Sequence, residues 1–319
     1  MAIRFGEGYF PSHNQVSQVY YCHYTPEMPK GVVLLIHGMG GHSGRYREFA
    51  ESLCERGYAV YAYDLIGHGK SVGEGEDFGT FAEADGDIAL VKDLETMTSL
   101  VRRRFRQLPF FVFAHSLGSF ITRAFAATHP SVFDGILLSG TAEVTELSFF
   151  KKRKLKKLLA KAGRAVSPEV ERLVMGDLVK PFLNESGYWL TTRPESLASP
   201  ESDPFIGHKM KADAYGDMIR LLEYISSDEW LEKMPHGTPI LFLSGARDPL
   251  GGYGDGIRSL ADQLLDDGFS KVSVKIYEGE KHELLGSLSH DTVISDVFAF
   301  LDEESDAVIA MRRQLREVF

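Results

Sequence analysis

The stretch of residues 110–120 constrains the fold of this chain more than any other. It begins with apolar, mostly aromatic residues, as a fully buried strand does, and it ends in small residues around Ser116. The following residues, 121–128, have the composition of a helix. A strand, a tight turn that carries serine and a helix together form the nucleophile elbow, in which a strained turn projects the hydroxyl from the end of a sheet.

The residues around Ser116 depart from the usual G-x-S-x-G pattern at one position. Gly118 occupies the second glycine position, whereas Ala114 stands at the first. Alanine adds a single methyl group and is the least disruptive substitute in such a turn. The alternative is a serine that only caps the helix after it, because serine is also a preferred N-cap residue.

Short apolar runs alternate with helical segments along most of the chain. Continuous runs are typical of strands that are covered on both faces, and their alternation with helices predicts an α/β fold with a mostly parallel sheet. The first predicted strand is rich in β-branched and aromatic residues and is expected at a sheet edge. The predicted strands are 16–24, 32–36, 58–63, 110–113, 135–138, 240–243 and 272–277.

This alternation stops between residues 141 and 230. The segment contains no clear buried strand, but it has too many apolar residues for a disordered linker. We therefore predict a helical cap insertion at 141–230 and assign 1–140 and 231–319 to the core. A long terminal helix, in one or two parts, is expected over about 291–318.

Three residues of complementary chemistry each follow a predicted strand: Ser116, Asp248 and His282. The carboxyl ends of parallel strands form the edge at which ligands bind. Serine needs a base to remove its proton, imidazole titrates near neutral pH, and a carboxylate fixes the imidazole tautomer. Each residue alone is common in loops, but three in this order at successive strand ends predict a catalytic triad.

An acyl-transfer site also needs backbone donors for the oxyanion. We predict the N–H of Leu117, directly after the serine, and the N–H of Met39, in the glycine-rich turn after strand 32–36. Gly38 and His115 are candidates for substrate contact, although packing or positioning is the preferred role for His115. The same preference holds for His68. The histidines at 37, 42 and 68 lack the spacing of a metal site, and no metal is predicted.

Charge, cysteine content and hydropathy limit the kinds of binding partner and the cellular location that we expect. A formal net charge of −10 argues against general nucleic-acid binding. The two cysteines, Cys22 and Cys54, have no framework or metal spacing and are expected to be buried thiols. Because no signal peptide or apolar stretch of about 18 residues is visible, we expect a cytoplasmic protein.

Four local patterns resemble the α/β-hydrolase superfamily, and more narrowly its lysophospholipase and monoacylglycerol lipase group, which is classed with serine aminopeptidase-like hydrolases. The patterns are His37-Gly38-Met39-Gly40, Asp64 with Gly67-His68-Gly69-Lys70-Ser71, Ala114-His115-Ser116-Leu117-Gly118, and Gly245 to Asp248 with Lys281-His282-Glu283. The resemblance implies an α/β-hydrolase fold with an eight-stranded type of sheet and a cap over an acyl-chain pocket. It also implies single-chain glycerolipids as substrates.

The expected activity is therefore a serine carboxylic-ester hydrolase that acts on monoacylglycerols or lysophospholipids through an acyl-enzyme. Water is the second nucleophile, so no cofactor is expected. The alternatives are a carboxylesterase or thioesterase for shorter acyl groups, an aminopeptidase, and a ligand-binding protein of hydrolase fold with little turnover.

Residues 151–164 contain eight lysines or arginines and no acid, with leucines at helical spacing. In a chain of negative net charge this is a local asymmetry. One hypothesis is an amphipathic helix that contacts anionic lipid at a membrane surface. The other, slightly preferred, is a helix of the cap with a solvated outer face.

Overall fold

The computed structural model describes residues 2–143, 148–197 and 199–318, with side chains as far as residue 315. Its centre is one sheet of eight strands. The strands are β1 (Arg4–Pro11), β2 (Gln18–Thr25), β3 (Gly31–Ile36), β4 (Tyr58–Tyr63), β5 (Phe110–His115), β6 (Gly135–Ser139), β7 (Ile240–Gly245) and β8 (Val272–Tyr277).

The spatial order of the strands is β1-β2-β4-β3-β5-β6-β7-β8. The pairs β1–β2 and β2–β4 are antiparallel, and all the other pairs are parallel. The ends of the parallel strands lie in register, with His115 beside Ser139 and Gly245 beside Tyr277. The loops that follow these strands therefore meet at one edge of the sheet, where ligands bind in open parallel sheets.

Helices cover both faces of this sheet. Phe49 and Val297 pack on one face, whereas Leu94, Phe125 and Leu260 pack on the other. The helices are α1 (Arg47–Glu55), α2 (Gly86–Arg104), α3 (Leu117–Thr128), α4 (Phe149–Ala162), α5 (Pro168–Val179), α6 (Ala212–Ile225), α7 (Asp228–Lys233), α8 (Asp255–Asp266) and α9 (His290–Val318). The prediction of an α/β fold with a mostly parallel sheet flanked by helices is confirmed.

One detail differs from the sequence-based expectation. The predicted edge strand, β2, is the second strand, because β1 pairs with its outer side. β1 has no apolar run; instead Gly6 and Gly8 leave space for the rings of His23 and Tyr21 on β2, where a Cβ atom would come within 3 Å. The terminal helix, expected in one or two parts, is one continuous element.

The residues between β6 and β7, here called the insert, hold four of the helices. α4 and α5 pack on each other and on α6, while α6 and α7 lie against α3 in the helical layer of the sheet. Cys22 and Cys54 are buried thiols, as predicted. In the described part of the chain, no helix has the length and apolar character needed to cross a membrane.

Candidate active site

Ser116 lies in the turn between β5 and α3. Its backbone has φ of 51° and ψ of −121°, a conformation that a side-chain-bearing residue adopts only where its surroundings enforce it. The N–H of Ser116 donates to the carbonyl of Ser139 over 2.9 Å, which ties the turn to the end of β6. Helix α3 begins at the next residue, so the turn has the strand-to-helix geometry that the elbow pattern predicts.

Two glycines make room for this turn. A Cβ atom on Gly118 would lie 2.6 Å from the carbonyl oxygen of His37, and one on Gly38 would lie 2.8 Å from Cβ of Ser116. The pattern position filled by Ala114 is buried within β5 and tolerates the extra methyl group. Small residues are therefore required at 118 and 38 because the loop after β3 packs directly against the elbow.

A buried histidine–aspartate pair lies at the same sheet edge. Nδ1 of His282, after β8, lies 2.9 Å from Oδ2 of Asp248, after β7. Oδ1 of Asp248 accepts a hydrogen bond from the N–H of Leu250 over 2.9 Å. The side chains of His282 and Asp248 are 2% and 0% exposed. Because Asp248 holds the proton on Nδ1, Nε2 is the nitrogen left to accept a proton.

The electrostatics of His282 favour its role as a base. Burial lowers the pKa of the imidazole, but the charge of Asp248 and the hydrogen bond to it raise the pKa, and the net result lies above the ordinary value of 6.5. Gly140 connects this pair with the serine. It follows Ser139, to which Ser116 is bonded, and a Cβ atom on it would lie 2.9 Å from the His282 ring.

The serine and the histidine therefore flank the same strand end. The Ser116 hydroxyl is half-buried and forms no hydrogen bond with any described residue, including His282. Such bonds are often long before substrate binds and shorten in the reacting complex.

The proposed oxyanion donors Met39 and Leu117 both follow residues that contact one another, Gly38 and Ser116. Neither amide N–H donates to another described residue. The N–H of Leu117 is also among the first in α3, where the helix dipole favours negative charge. Both amides are thus free to bind an anionic oxygen, and their role stays a prediction.

Two buried histidines hold the turn that carries Met39. The N–H of Leu65 donates to Nε2 of His37 over 2.9 Å, which leaves the proton on Nδ1, 2.8 Å from the carbonyl oxygen of Gly38. The N–H of Gly40 donates to Nε2 of His68 over 3.1 Å. Burial lowers the pKa of both rings, that of His68 to about 4, so both are neutral at neutral pH. The preference for positioning over chemistry at His68 agrees with this geometry.

A cavity of about 610 Å³ opens beside the elbow and reaches Gly38, Met39 and His115. Its polar wall contains three arginines and three carboxylates, which are Arg45, Arg47, Arg193, Glu48, Asp203 and Glu283. His115 is buried, and desolvation lowers the pKa of its ring to about 4. Gly38 and His115 therefore remain candidates for substrate contact. Apart from Glu283, which belongs to one of the four sequence patterns, the charged residues of this wall were not identified from the sequence, because they come from separate segments.

The insert also reaches the site. The ring of Trp189 lies 4.6 Å from the ring of His282, and Nζ of Lys281 is bound by carbonyls of the insert. Trp189 was not identified from the sequence as functional, because an aromatic residue in a segment without a motif carries no positional signal.

The basic segment forms α4. Leu155 is buried, and Leu158 and Leu159 pack against the core, so the apolar stripe of the helix faces the protein. Phe149 and Phe150, in its first turn, are 72% and 80% exposed. The exposed basic residues that have no ion pair with a described residue are Arg153, Lys154, Lys156, Lys157 and Lys161.

Known proteins resemble this chain over most of its length. The family described as serine aminopeptidase, S33, matches residues 27–288. The monoacylglycerol lipase of Mycolicibacterium smegmatis is 28% identical over 290 residues, covering 89% of this chain and 92% of that protein. The monoglyceride lipase of Rattus norvegicus is 29% identical over 282 residues, with coverages of 85% and 82%.

Solved structures of esterases and lipases also resemble this chain over most of its length. A highly thermostable carboxyl esterase from Bacillus coagulans, in complex with glycerol, superposes with a TM-score of 0.86 at 28% identity, covering 95% of this chain and all of that one. A soluble variant of monoglyceride lipase from Saccharomyces cerevisiae, at 18% identity, 95% and 96% coverage and a TM-score of 0.71, shares the fold. This chain therefore belongs to the serine aminopeptidase S33 family, has the α/β-hydrolase fold and is a carboxylic-ester hydrolase.

Proposed function

We propose that this protein hydrolyses single-chain acyl glycerolipids, monoacylglycerols above all, with Ser116, His282 and Asp248 as its catalytic triad. The observation that carries the proposal is the buried His282–Asp248 pair, whose imidazole lies beside Gly140. Gly140 directly follows Ser139, whose carbonyl accepts a hydrogen bond from the N–H of Ser116. An imidazole with one nitrogen held by a carboxylate and the other unbonded is ready to take a proton from a neighbouring hydroxyl.

In the first half of the reaction, Nε2 of His282 takes the proton of Ser116 while Oγ forms a bond to the ester carbonyl carbon. The carbonyl oxygen becomes the oxyanion, and the N–H groups of Met39 and Leu117 bind it. When the tetrahedral intermediate collapses, the carbon–oxygen bond to the alcohol breaks. The imidazolium gives its proton to that oxygen, and an acyl-enzyme remains on Ser116.

In the second half, water replaces the alcohol. Nε2 of His282 removes a proton from the water as the hydroxide oxygen bonds to the acyl carbon. The second intermediate then collapses, Ser116 recovers its proton and the fatty acid leaves. Asp248 stays ionised and stabilises the imidazolium in both halves.

The charges that line the polar cavity favour the binding of a neutral, hydroxyl-bearing head group. Its three arginines and three carboxylates balance in charge and offer both donors and acceptors, which suits glycerol hydroxyls. Arg45 and Glu283 lie 3.6 Å apart, so a hydroxyl can bond to both without displacing a tight ion pair. A phosphate would meet Glu283 as well as Arg45. We therefore propose monoacylglycerol in preference to lysophospholipid.

The relatives support the same substrate class, since two are named monoacylglycerol or monoglyceride lipases and one solved esterase was obtained with glycerol. That esterase, with its TM-score of 0.86, also supports the alternative of a carboxylesterase for shorter acyl groups. We further propose that the predicted cap, residues 141–230 within the insert, limits access to the site.

A fluorophosphonate probe tests the nucleophile. We expect labelling at Ser116 that disappears in Ser116→Ala, together with a loss of at least about 10³-fold in kcat. Ser119→Ala is the matched control, because Ser119 lies one helical turn away and donates to the carbonyl of Ser116. A folded Ser116→Ala protein that keeps most of its activity would overturn the assignment.

A substrate panel tests the head group. Monoacylglycerol, lysophosphatidylcholine and p-nitrophenyl esters with the same acyl chain should be hydrolysed with the highest kcat/KM for monoacylglycerol. Arg45→Gln should raise KM for monoacylglycerol and leave KM for the p-nitrophenyl ester, which lacks glycerol, nearly unchanged. Equal changes for both esters would contradict the assignment of the cavity.

We also propose that this enzyme is cytoplasmic and binds anionic membranes reversibly through α4. The leucine stripe packs on the protein, so the contact uses the unpaired basic face and the exposed rings of Phe149 and Phe150. Each basic residue near an anionic surface contributes about 1 kcal/mol, and aromatic rings favour the membrane interface.

Vesicle sedimentation tests this contact. Lys154→Glu/Lys157→Glu should weaken binding to vesicles of phosphatidylserine and phosphatidylcholine at least about tenfold, because it removes two cations and adds two anions. The control Lys92→Glu/Arg103→Glu makes the same change in net charge on the exposed side of α2. Equal binding to neutral and anionic vesicles, or equal loss in both variants, would refute the contact.

A further inference from the structure

The imidazole of His282 contacts two other rings. The indole of Trp189 lies with its ring centroid 4.6 Å from that of His282 and with the planes inclined by 35°. The ring of His115 lies at 4.7 Å and 51°. Trp189 is 8% exposed, so its contact with His282 is part of the packed interior. The insert thus supplies an aromatic face to the side chain that we propose as the base.

Hydrogen bonds on both sides hold this contact in register. The residue before His282, Lys281, donates from Nζ to the carbonyl of Tyr188, the residue before Trp189, over 2.5 Å. The residue after His282, Glu283, donates its N–H to the carbonyl of Leu190, the residue after Trp189, over 2.7 Å. Trp189 and His282 are therefore fixed opposite one another by bonds between their neighbours.

An ionic link strengthens this arrangement. Glu185, in the insert, lies 3.0 Å from Nζ of Lys281 and accepts two hydrogen bonds from Nη2 of Arg247, over 2.6 and 2.7 Å. Arg247 directly precedes Asp248, just as Lys281 directly precedes His282. One carboxylate of the insert thus binds the neighbours of both members of the buried pair. The Lys281 side chain is 2% exposed, so its ammonium depends on these partners.

We propose that Trp189 is a positioning residue for the base, whose indole face stabilises His282 in its imidazolium form. A cation within about 6 Å of an aromatic centroid is attracted by the ring, most strongly by tryptophan. His282 carries a positive charge only after it has taken the serine proton, so the attraction is larger in the transition state than in the ground state. This inference rests on the proposed role of His282.

Other charged groups also face the imidazole. Asp248 binds Nδ1, Glu283 follows it in its own loop, and His115 faces it from the end of β5. Arg45 lies 3.6 Å from Glu283 and partly offsets that charge. Asp248 and Glu283 favour the imidazolium, whereas a charged His115 would oppose it. The indole adds to these effects without bringing a charge of its own.

The substitution at Trp189 has to remove the aromatic face without admitting water to His282. Removing the whole Trp189 side chain would have two opposite effects on the His282 pKa. Loss of the ring would lower the pKa, whereas water that enters the space would hydrate the imidazolium and raise it. Trp189→Leu keeps apolar bulk over the imidazole and removes the π face, so the two effects do not cancel. We expect the acidic limb of kcat/KM against pH to move down by about 0.5 to 1 pH unit. Trp189→Phe, which keeps an aromatic face, should recover part of this shift.

A direct titration separates this inference from the proposed function. The His282 pKa can be followed by NMR in the Ser116→Ala background, where turnover plays no part, and it should fall by the same amount in Trp189→Leu. Tyr188→Phe is the control, since it changes the neighbouring side chain and keeps the backbone bond to Lys281. A folded Trp189→Leu protein with an unchanged His282 pKa overturns the role of the indole, whatever the result for Ser116.

Ring-fluorinated tryptophan keeps the test decisive if Trp189→Leu fails to fold. Fluorine weakens the attraction of the indole face for a cation and barely changes its shape. The chain has two tryptophans, Trp189 and Trp230, so both are replaced. The expected result is a downward shift of the His282 pKa that is absent when the same label is placed in Trp189→Phe. An equal shift in both proteins, or none in either, contradicts the proposal.

Discussion

Among the residues that the structure describes, two aspartate–histidine pairs have nearly the same local geometry. Asp248 lies 2.9 Å from Nδ1 of His282, and Asp203 lies 2.7 Å from Nε2 of His42. In each pair the other carboxylate oxygen accepts the N–H two residues further along the chain, at 2.9 and 3.0 Å. The contact between the two side chains therefore does not distinguish a catalytic pair from a structural one.

The second nitrogen of each histidine makes the difference. Nδ1 of His42 accepts a hydrogen bond from the N–H of Gly44 over 3.2 Å, so both of its nitrogens are occupied. Nε2 of His282 has no hydrogen bond with a described residue. The His42–Asp203 side chains are also 12% and 17% exposed, compared with 2% and 0%. A general base needs a nitrogen that is free to take a proton, and only His282 meets this condition among the two.

The two pairs also connect different parts of the chain. His282 and Asp248 follow neighbouring parallel strands, so the sheet itself fixes their separation. His42 follows β3, and its partner Asp203 belongs to the insert. The first pair is therefore as rigid as the sheet, while the second depends on how the insert is seated. This contrast predicts very different responses to the same substitution.

Asp248→Asn should give the largest effect. The amide can stabilise the wrong imidazole tautomer and cannot stabilise the imidazolium, so we expect kcat to fall by about 10⁴-fold. The protein should keep its circular dichroism spectrum, because asparagine fills the same space. A loss of less than about tenfold would show that the buried pair does not serve the reaction.

A decrease in pH should lower kcat/KM through the His282–Asp248 pair, with an effect smaller than that of Asp248→Asn. The net pKa of His282 lies above 6.5, despite burial, because of Asp248, and the base acts only when it is neutral. We expect kcat/KM to fall about tenfold per pH unit below that pKa. An acidic limb that lies below pH 6 in the unmodified protein would contradict the raised pKa.

The contribution of His282 to folding stability should decrease as pH rises, whereas activity should increase. A histidine whose pKa is raised by folding contributes stability below its unfolded pKa of about 6.5 and loses that contribution as pH rises through the folded pKa. Activity should therefore rise over the range in which this contribution falls. Thermal melting at several pH values checks the trend, and Asp248→Asn should remove it.

Asp203→Asn should give the smallest effect and serves as the matched control for Asp248→Asn. Because neither nitrogen of His42 takes part in proton transfer, kcat should change less than about threefold, and Tm should fall by about 1 to 3 °C. KM for monoacylglycerol should rise, because Asp203 also lines the polar cavity. Burial raises the pKa of Asp203, but hydrogen bonds from His42 and Phe205 lower it overall. The difference in Tm should thus be full above the ordinary aspartate pKa of about 3.9 and disappear as the pH falls through the lower pKa of the folded state. A loss of kcat similar to that of Asp248→Asn would remove the distinction between the two pairs.

The sequence by itself determined the strand-and-helix order of the core, because continuous apolar runs and helical spacing are local signals. It also located Ser116, Asp248 and His282 after their strands, since parallel strands bring their carboxyl ends to one edge. It did not predict β1, whose pairing depends on glycines opposite the rings of β2 and not on an apolar pattern.

Only the tertiary structure decided how the insert meets the site. The bond from Lys281 to Tyr188 joins residues 93 positions apart, and the His42–Asp203 bond spans 161. No periodicity relates such residues, so nothing in the local sequence marks Trp189 as the neighbour of His282. The charge balance of the polar cavity could not be predicted from the sequence either, because its arginines and carboxylates come from segments that meet only after the chain has folded. Local patterns fix elements and their order, whereas contacts between distant loops depend on the packing of the whole chain.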